Sequence, residues 1–192
     1  MDMSLKIEQG EETKRQILKV ARKLFGKNGY NNTSIEDIYS SLNLTRGALY
    51  HHFSGKKEIF YEMCRVYNHE LVQELENWDW REFRKRWSET LDLTEDKNFV
   101  QIWIKDLASV LNAKEMSQLD EESIEKSITV LLEGAIRNGS IRKIPTKEAS
   151  QMILGMLNQA LLVLSELEGD SLLRSKKNFI KVMNLFLDSL ES

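Results

Sequence analysis

Residues 33–60 read TSIEDIYSSLNLTRGALYHHFSGKKEIF, and this stretch decides the fold. It begins with the spacing of a capping box, in which Thr33 caps a short helix and the side chain of Glu36 reaches back to it. Asn43 lies in the turn that follows, and asparagine tolerates the left-handed backbone conformation that a tight turn needs. Thr45 then caps another short helix. Two short, well-capped helices joined by a three-residue turn predict a helix-turn-helix.

Helices are predicted on both sides of this motif. Upstream, apolar residues recur at helical spacing from Ile17 to Phe25, within a helix expected over residues 12–28. Downstream, no linker follows Phe53, and a long helix is expected from about Lys56 to about Glu76. Further helices are expected at residues 79–91, 96–112, 120–137, 146–168 and 171–190. The sequence therefore predicts an all-α protein, with a three-helix head in residues 1–55 and a helical body in residues 56–192.

The composition fits a helical protein of the cytoplasm. The chain has 192 residues, of which 41% are hydrophobic and 30% charged, with a single proline and nine glycines. So few helix-breaking residues favour long helices over short strands. No apolar run approaches the roughly 20 residues that span a bilayer, so we expect no membrane segment. The single cysteine, Cys64, excludes an internal disulfide framework and fits a reducing compartment.

The charge is distributed unevenly along the chain. The net charge is −3, yet residues 1–62 carry ten Lys and Arg against eight Asp and Glu. Residues 45–57 contain no acid at all. A local cationic surface on an otherwise acidic protein is what binding to a phosphate backbone requires. The cationic or titratable residues of this segment are Arg46, His51, His52, Lys56 and Lys57.

The second helix of the motif has the residues of a DNA-reading helix. Arg46 and Tyr50 lie one turn apart on its outer face, and residues near the start of such a helix reach base edges. An arginine there can donate two hydrogen bonds to guanine, while Tyr50, His51 and His52 can reach phosphates. Gly47 is costly inside a short helix, and its expected use is to let the backbone approach DNA closely.

The ordered strings TKRQIL, LFGKNGY, TSIEDI, TRGALYHHF and KKEIF, within Thr13–Phe60, resemble the N-terminal domain of TetR-family repressors. The resemblance implies a bacterial transcriptional repressor that binds a palindromic DNA operator as a homodimer and is released by a small-molecule effector. It implies that the head binds DNA and that the body binds the ligand and dimerises. Carried over by position, the residues expected to contact DNA are Thr33, Ser34, Thr45, Arg46, Gly47, Ala48, Tyr50, His51 and Lys56, with His52 beside the backbone.

The body suggests a ligand pocket and a dimer interface, each with a plainer alternative. Aromatic and apolar residues predict a pocket lined by Met63, Tyr67, Leu71, Trp87 and Trp103, although such residues also build ordinary cores. The last two predicted helices carry wide apolar stripes that fit a four-helix bundle with a second copy, although burial within one chain would explain them nearly as well. The interface residues expected from these stripes are Leu157, Leu161, Leu164, Phe179, Met183 and Phe186.

Catalysis is not expected from this sequence. His51 and His52 are adjacent and point to different sides of a helix, while Cys64 and His69 do not share a helical face well. No metal-site spacing and no glycine-rich phosphate loop occurs, so we expect no metal and no cofactor. A transcriptional activator or a nucleoid-associated protein could be built on the same head, because both need the same DNA contacts. The sequence leaves that alternative open.

Overall fold

The computed structural model describes residues 3–73, 75–121 and 124–191, and the side chains of residues 8–73, 75–119 and 124–191. Apart from one isolated bridge between Ile141 and Glu191, these residues form no strand, which confirms the all-α fold class. The helices are α1 (Met3–Asn28), α2 (Ile35–Ser40), α3 (Arg46–His52), α4 (Lys56–Val72), α5 (Trp80–Arg86), α6 (Lys97–Phe99), α7 (Leu107–Val110), α8 (Ala113–Glu121), α9 (Ile124–Arg137), α10 (Thr146–Leu164) and α11 (Gly169–Asp188).

Two of the predicted helices are not α-helical throughout, because part of each is a 3₁₀ or a π-helix. The helix expected over residues 79–91 is α5 followed by a 3₁₀ helix, Trp87–Glu95. The helix expected over residues 96–112 is α6 and α7 joined by a π-helix, Val100–Asp106. In addition, α1 begins at Met3, before the predicted start at residue 12.

The helix-turn-helix is present, but a different residue caps its first helix. Ser34 is the cap of α2, and it forms the capping box with Asp37. The predicted pair of Thr33 and Glu36 was wrong, because the Thr33 hydroxyl is buried and donates to the carbonyl oxygen of Gly29. The other local signals are confirmed: Asn43 has a φ of 53°, and the Thr45 side chain accepts a hydrogen bond from the Ala48 N–H.

The chain divides into two compact units, and the division falls inside α4. The first unit contains the residues up to Tyr67 together with Lys97–Ala113. The second contains Asn68–Asp96 and the chain from Lys114 onward. The compact units therefore do not follow the predicted boundary between residues 55 and 56, and the segment around the π-helix packs with the head, against α1.

The core of the first unit lies under the helix-turn-helix. The ring of Phe25 packs against those of Tyr30 and Phe60, with ring centroids 5.6 and 5.3 Å apart. Leu49 and Phe53, which lie one turn apart, are buried and fix the inner side of α3. The inner face of α3 is thus held by apolar packing, which leaves its outer face available.

The core of the second unit surrounds α10, which packs against α9, α11 and the 3₁₀ helix that follows α5. Arg84 of α5 donates to Asn184 and Asp188 of α11 and to Glu191, which follows that helix. No described helix has the length and apolar character needed to cross a membrane.

The apolar stripes of α10 and α11 face inward more than the sequence predicted. Four of the six residues expected at a dimer interface are buried within the chain, because they face α9, the 3₁₀ helix and each other's helices. Those four are Leu157, Leu161, Leu164 and Met183. The other two, Phe179 and Phe186, are half-buried. Of the six predicted residues, only Phe179 and Phe186 therefore retain surface that a partner could contact.

Candidate nucleic-acid interface

The outer face of α3 is exposed and cationic. Thr45 caps the helix at 3.1 Å from the Ala48 nitrogen, and Arg46, Gly47 and Tyr50 are exposed beyond it. The Arg46 guanidinium lies 5.4 Å from the centre of the Tyr50 ring, a cation–π distance that holds both side chains on one face. A Cβ added to Gly47 would meet no atom within 4 Å, so packing within the chain does not require glycine there.

Two histidines end α3. The rings of His51 and His52 are 5.3 Å apart at an angle of 72°, and His51 is exposed while His52 is half-buried. Partial burial lowers the pKa of His52, and the neighbouring His51 lowers it further. His52 therefore favours its neutral form in the free protein, while a nearby phosphate would favour the protonated form.

The Lys56 ammonium is hydrogen-bonded to the backbone. It donates to the carbonyl oxygens of Tyr30 and Thr33, each at 2.9 Å, and lies 4.2 Å from the centre of the Tyr30 ring. The sequence predicted a DNA contact at this position, and in the free chain the ammonium lies at the turn between α1 and α2. Lys57, the next residue, is exposed.

The start of α2 combines one exposed and one buried candidate. Ser34 is exposed, and its hydroxyl and backbone N–H both donate to the carboxylate of Asp37. These hydrogen bonds lower the pKa of Asp37. Thr33 is only 1% exposed, so its side chain is not available to DNA. The DNA-contact candidates that lie at the surface are Ser34, Thr45, Arg46, Gly47, Tyr50 and His51, with Ala48, His52 and Lys56 half-buried.

The second unit contains a cavity of about 540 Å³. It lies between the last turn of α4, the segment that leads into α5, and α9. Its wall combines indole rings and aliphatic groups with polar side chains. The residues that line it are His69, Val72, Leu75, Glu76, Trp78, Asp79, Trp80, Lys126, Ser127, Val130, Leu131, Gly134, Ala135 and Asn138.

None of the five residues predicted for a ligand pocket lines this cavity. Met63, Tyr67 and Trp103 belong to the first unit, where the Tyr67 and Trp103 rings lie 5.9 Å apart. Leu71 and Trp87 belong to the second, and the Trp87 indole N–H donates to Asn184. The spacing of the tryptophans in the sequence does not show which of them pack into the core and which line a cavity. One signal that could have pointed to this cavity is Gly134, a glycine inside a predicted helix that lines the cavity.

An apolar surface lies on the outer side of α10 and α11. Met152 and Leu162 are exposed on α10, and Val182 and Leu185 are exposed on α11. Val182 and Leu185 point away from the buried Met183 and Leu187, because successive residues rotate by about 100° around a helix. We call these four exposed residues the outer stripe.

Among the described residues, no group of His, Cys, Asp or Glu could hold a metal ion. Cys64 is buried, and burial raises the pKa of its thiol.

Comparison with known proteins agrees with this arrangement. A family model described as bacterial regulatory proteins, tetR family, matches residues 17–63, and a tetracyclin repressor-like C-terminal domain matches residues 80–190. The Transposon Tn10 TetC protein of Escherichia coli is 23% identical over 193 residues, which is 96% of this chain and 95% of that protein. The HTH-type transcriptional regulator AcrR of Shigella flexneri is 39% identical over 59 residues, which is 31% of this chain and 27% of that protein.

The fold is shared with solved structures along nearly the whole chain. A TetR-family transcriptional regulator from Pectobacterium atrosepticum superimposes with a TM-score of 0.76 and 26% sequence identity, covering 96% of each chain.

Proposed function

Because this chain belongs to the TetR family of bacterial regulatory proteins, we propose that it is a transcriptional repressor that binds a palindromic operator as a homodimer and is released by a small molecule. The observation that carries the proposal is the exposed face of α3, where Arg46 and Tyr50 stand on a helix whose inner side, Leu49 and Phe53, is buried. The protein would act in the bacterial cytoplasm, where it meets its operator.

Arg46 is the proposed base-reading residue. It is exposed near the start of α3, and arginine donates two hydrogen bonds to the O6 and N7 atoms of guanine. The exposed hydroxyl of Tyr50 and the ring of His51 would contact phosphates, which fixes the register of the helix on the duplex. One short helix reads few base pairs, so two copies related by a two-fold axis would bind half-sites about 34 Å apart, or a multiple of that distance.

The experiment that tests DNA recognition is selection from a random duplex library with the purified full chain, followed by footprinting. We expect a palindromic sequence. With this palindromic duplex, Arg46→Ala should lose about 1–3 kcal/mol of binding free energy and relax the base preference at one position of each half-site. Arg81→Ala, which removes the same charge from an exposed residue of α5, is the matched control and should leave operator affinity unchanged. Recovery of an asymmetric single half-site would refute the dimeric reading.

The outer stripe is the proposed dimer surface. Its members expose large apolar side chains on two neighbouring helices, and α10 also carries Gly155 between Met152 and Leu162 on the same side. A Cβ at Gly155 would meet no atom of its own chain within 4 Å, so a second helix could approach the backbone there. Two helices from each copy would then form a four-helix bundle.

The cavity of the second unit is the proposed effector site. Its indoles and aliphatic groups favour a mostly apolar molecule, and the polar groups that line it would orient that molecule. His69 and Val72, in the last turn of α4, line it, while Lys56 at the first turn of the same helix holds the turn between α1 and α2. Displacement of α4 by a ligand would therefore disturb the head.

The effector proposal has a quantitative test. Neutral and cationic amphiphiles are screened for thermal stabilisation of the full chain, and operator affinity is measured with each that stabilises. A ligand that prefers the released geometry by about 1–3 kcal/mol lowers operator affinity about 5- to 150-fold. Stabilising ligands that leave operator affinity unchanged would refute the coupling.

A further inference from the structure

The turn between α1 and α2 is held by two side chains of opposite charge. Asp106, the last residue of the π-helix, accepts the Tyr30 N–H at 2.8 Å through Oδ2. Lys56 donates to the carbonyl oxygens of Tyr30 and Thr33. Both backbone groups of Tyr30 are thus bound by charged side chains, and neither side chain belongs to the three helices of the head.

The contact between this turn and the π-helix is close at the level of the backbone. Gly29 has a φ of +82°, and a Cβ there would stand 3.1 Å from Nε2 of Gln101 and 3.8 Å from Oδ2 of Asp106. Asp106 itself is only 8% exposed. A carboxylate in such surroundings needs a donor, and the Tyr30 N–H needs an acceptor, because a buried polar group without a partner is costly.

The same turn leads directly into the DNA-reading helices. Thr33 ties the end of the turn back to Gly29, Ser34 caps α2, and α2 packs on α3. The placement of the turn therefore sets the start of α2 and, through it, the position of α3. Contacts with base edges need a geometry held to about half an ångström, while phosphate contacts carry no sequence information and tolerate more displacement.

We propose that Asp106 is a positioning residue for operator recognition: its carboxylate fixes the turn between α1 and α2 and thereby aligns α3 for base contacts. The inference rests on the proposed DNA-binding function. It assigns a role in sequence discrimination to a residue 76 positions away from Tyr30 in the chain and outside the reading head.

The experiment uses the full chain and two duplexes, the operator selected by the wild-type protein and a random sequence of equal length. Asp106→Ala removes the acceptor, and Asp106→Asn keeps an oxygen that can accept the Tyr30 N–H without the charge. Glu95→Ala is the matched control, because Glu95 is an exposed acid of the second unit and its loss changes the net charge equally.

We expect Asp106→Ala to weaken operator binding about tenfold or more, since the apparent affinity falls in proportion to the fraction of molecules in the competent geometry. Random-duplex affinity should change less than about twofold, because it depends on phosphate contacts. Asp106→Asn should recover most of the loss, and Glu95→Ala should behave as the wild type. In hydrogen exchange, the Tyr30 amide of Asp106→Ala should lose its protection.

The ratio of operator to random affinity separates positioning from simple destabilisation, because a partly unfolded sample loses both affinities alike. An unchanged ratio in Asp106→Ala would overturn the inference. If Asp106→Ala does not fold, Asp106→Glu is measured instead, because it keeps the charge and displaces the carboxylate by one methylene group from the Tyr30 N–H; an unchanged ratio in that variant would overturn the inference. A wild-type protein that selects no sequence would refute the proposed function and this inference together, whereas a selective wild type with unaffected Asp106 variants would refute the inference alone.

Discussion

Leu185→Asp tests the proposed dimer surface most directly. Leu185 is 61% exposed in the protomer, and the residue is part of the outer stripe of α11. Full burial of a leucine side chain is worth about 1.5–3 kcal/mol, so covering this exposed part contributes about 1–2 kcal/mol in each copy. A two-fold interface contains the residue twice. The substitution should therefore cost the dimer about 2–4 kcal/mol, which raises its dissociation constant about 30- to 700-fold.

The matched control is Leu173→Asp on the same helix. Leu173 is 58% exposed, close to the 61% of Leu185, but it lies twelve positions away and hence about 120° around the helix. Sedimentation velocity over a wide range of protein concentration, with circular dichroism as the check on folding, should show monomers for Leu185→Asp and dimers for Leu173→Asp. If both folded variants dimerise as the wild type does, or if only Leu173→Asp dissociates, the outer stripe is not the interface.

Three further predictions concern the head and the cavity. Operator affinity should rise as the pH falls from about 7.5 to about 5.5. The pKa of His52 is lowered in the free protein and phosphates raise it in the complex, so His52 takes up a proton on binding. His52→Gln should flatten this pH profile, and a profile identical to that of the wild type would show that other groups titrate. Thr33→Val should lower the free energy of unfolding, measured in urea, by about 1 kcal/mol, because buried hydrogen bonds are lost. Thr33→Ser should lie closer to the wild type. A Thr33→Val variant that loses operator affinity but no stability would indicate a DNA contact instead. Gly134→Leu should fill the cavity without lowering the melting temperature, since glycine is unfavourable within a helix. If dodecyltrimethylammonium stabilises the wild type, this variant should not be stabilised by it. Stabilisation that persists in the variant would place the ligand elsewhere.

Local signals in the sequence were enough for the helix-turn-helix. Thr45 caps α3 and Asn43 adopts left-handed backbone, as their residue types predict, because both effects involve neighbours within four positions. The same local chemistry misassigned the cap of α2, where Thr33 and Ser34 are both good candidates. The choice between them depended on burial, since the Thr33 hydroxyl turns inward to Gly29. The residue types therefore gave two candidate caps, and tertiary packing determined which of them caps α2.

The helical periodicity of α10 and α11 was not enough to identify the residues that could form an interface. A pattern identifies an apolar stripe but does not say whether the neighbour that covers it belongs to the same chain. The structure buries Leu161 and Met183 inside the protomer and leaves Leu162 and Val182, their immediate neighbours in sequence, exposed. One step along a helix rotates a side chain by about 100°, so the identity of the covered face follows only from the packed arrangement.

By itself, the sequence determined the helical class, the helix-turn-helix with Arg46 exposed on α3, and the family. The partners of charged side chains were decided by the tertiary structure alone. Lys56 binds carbonyl oxygens of the turn between α1 and α2, and Asp106 binds the Tyr30 N–H across 76 positions of sequence. No periodicity or motif encodes such pairs, because they depend on which distant backbone groups the folded chain brings within 3 Å of a charge.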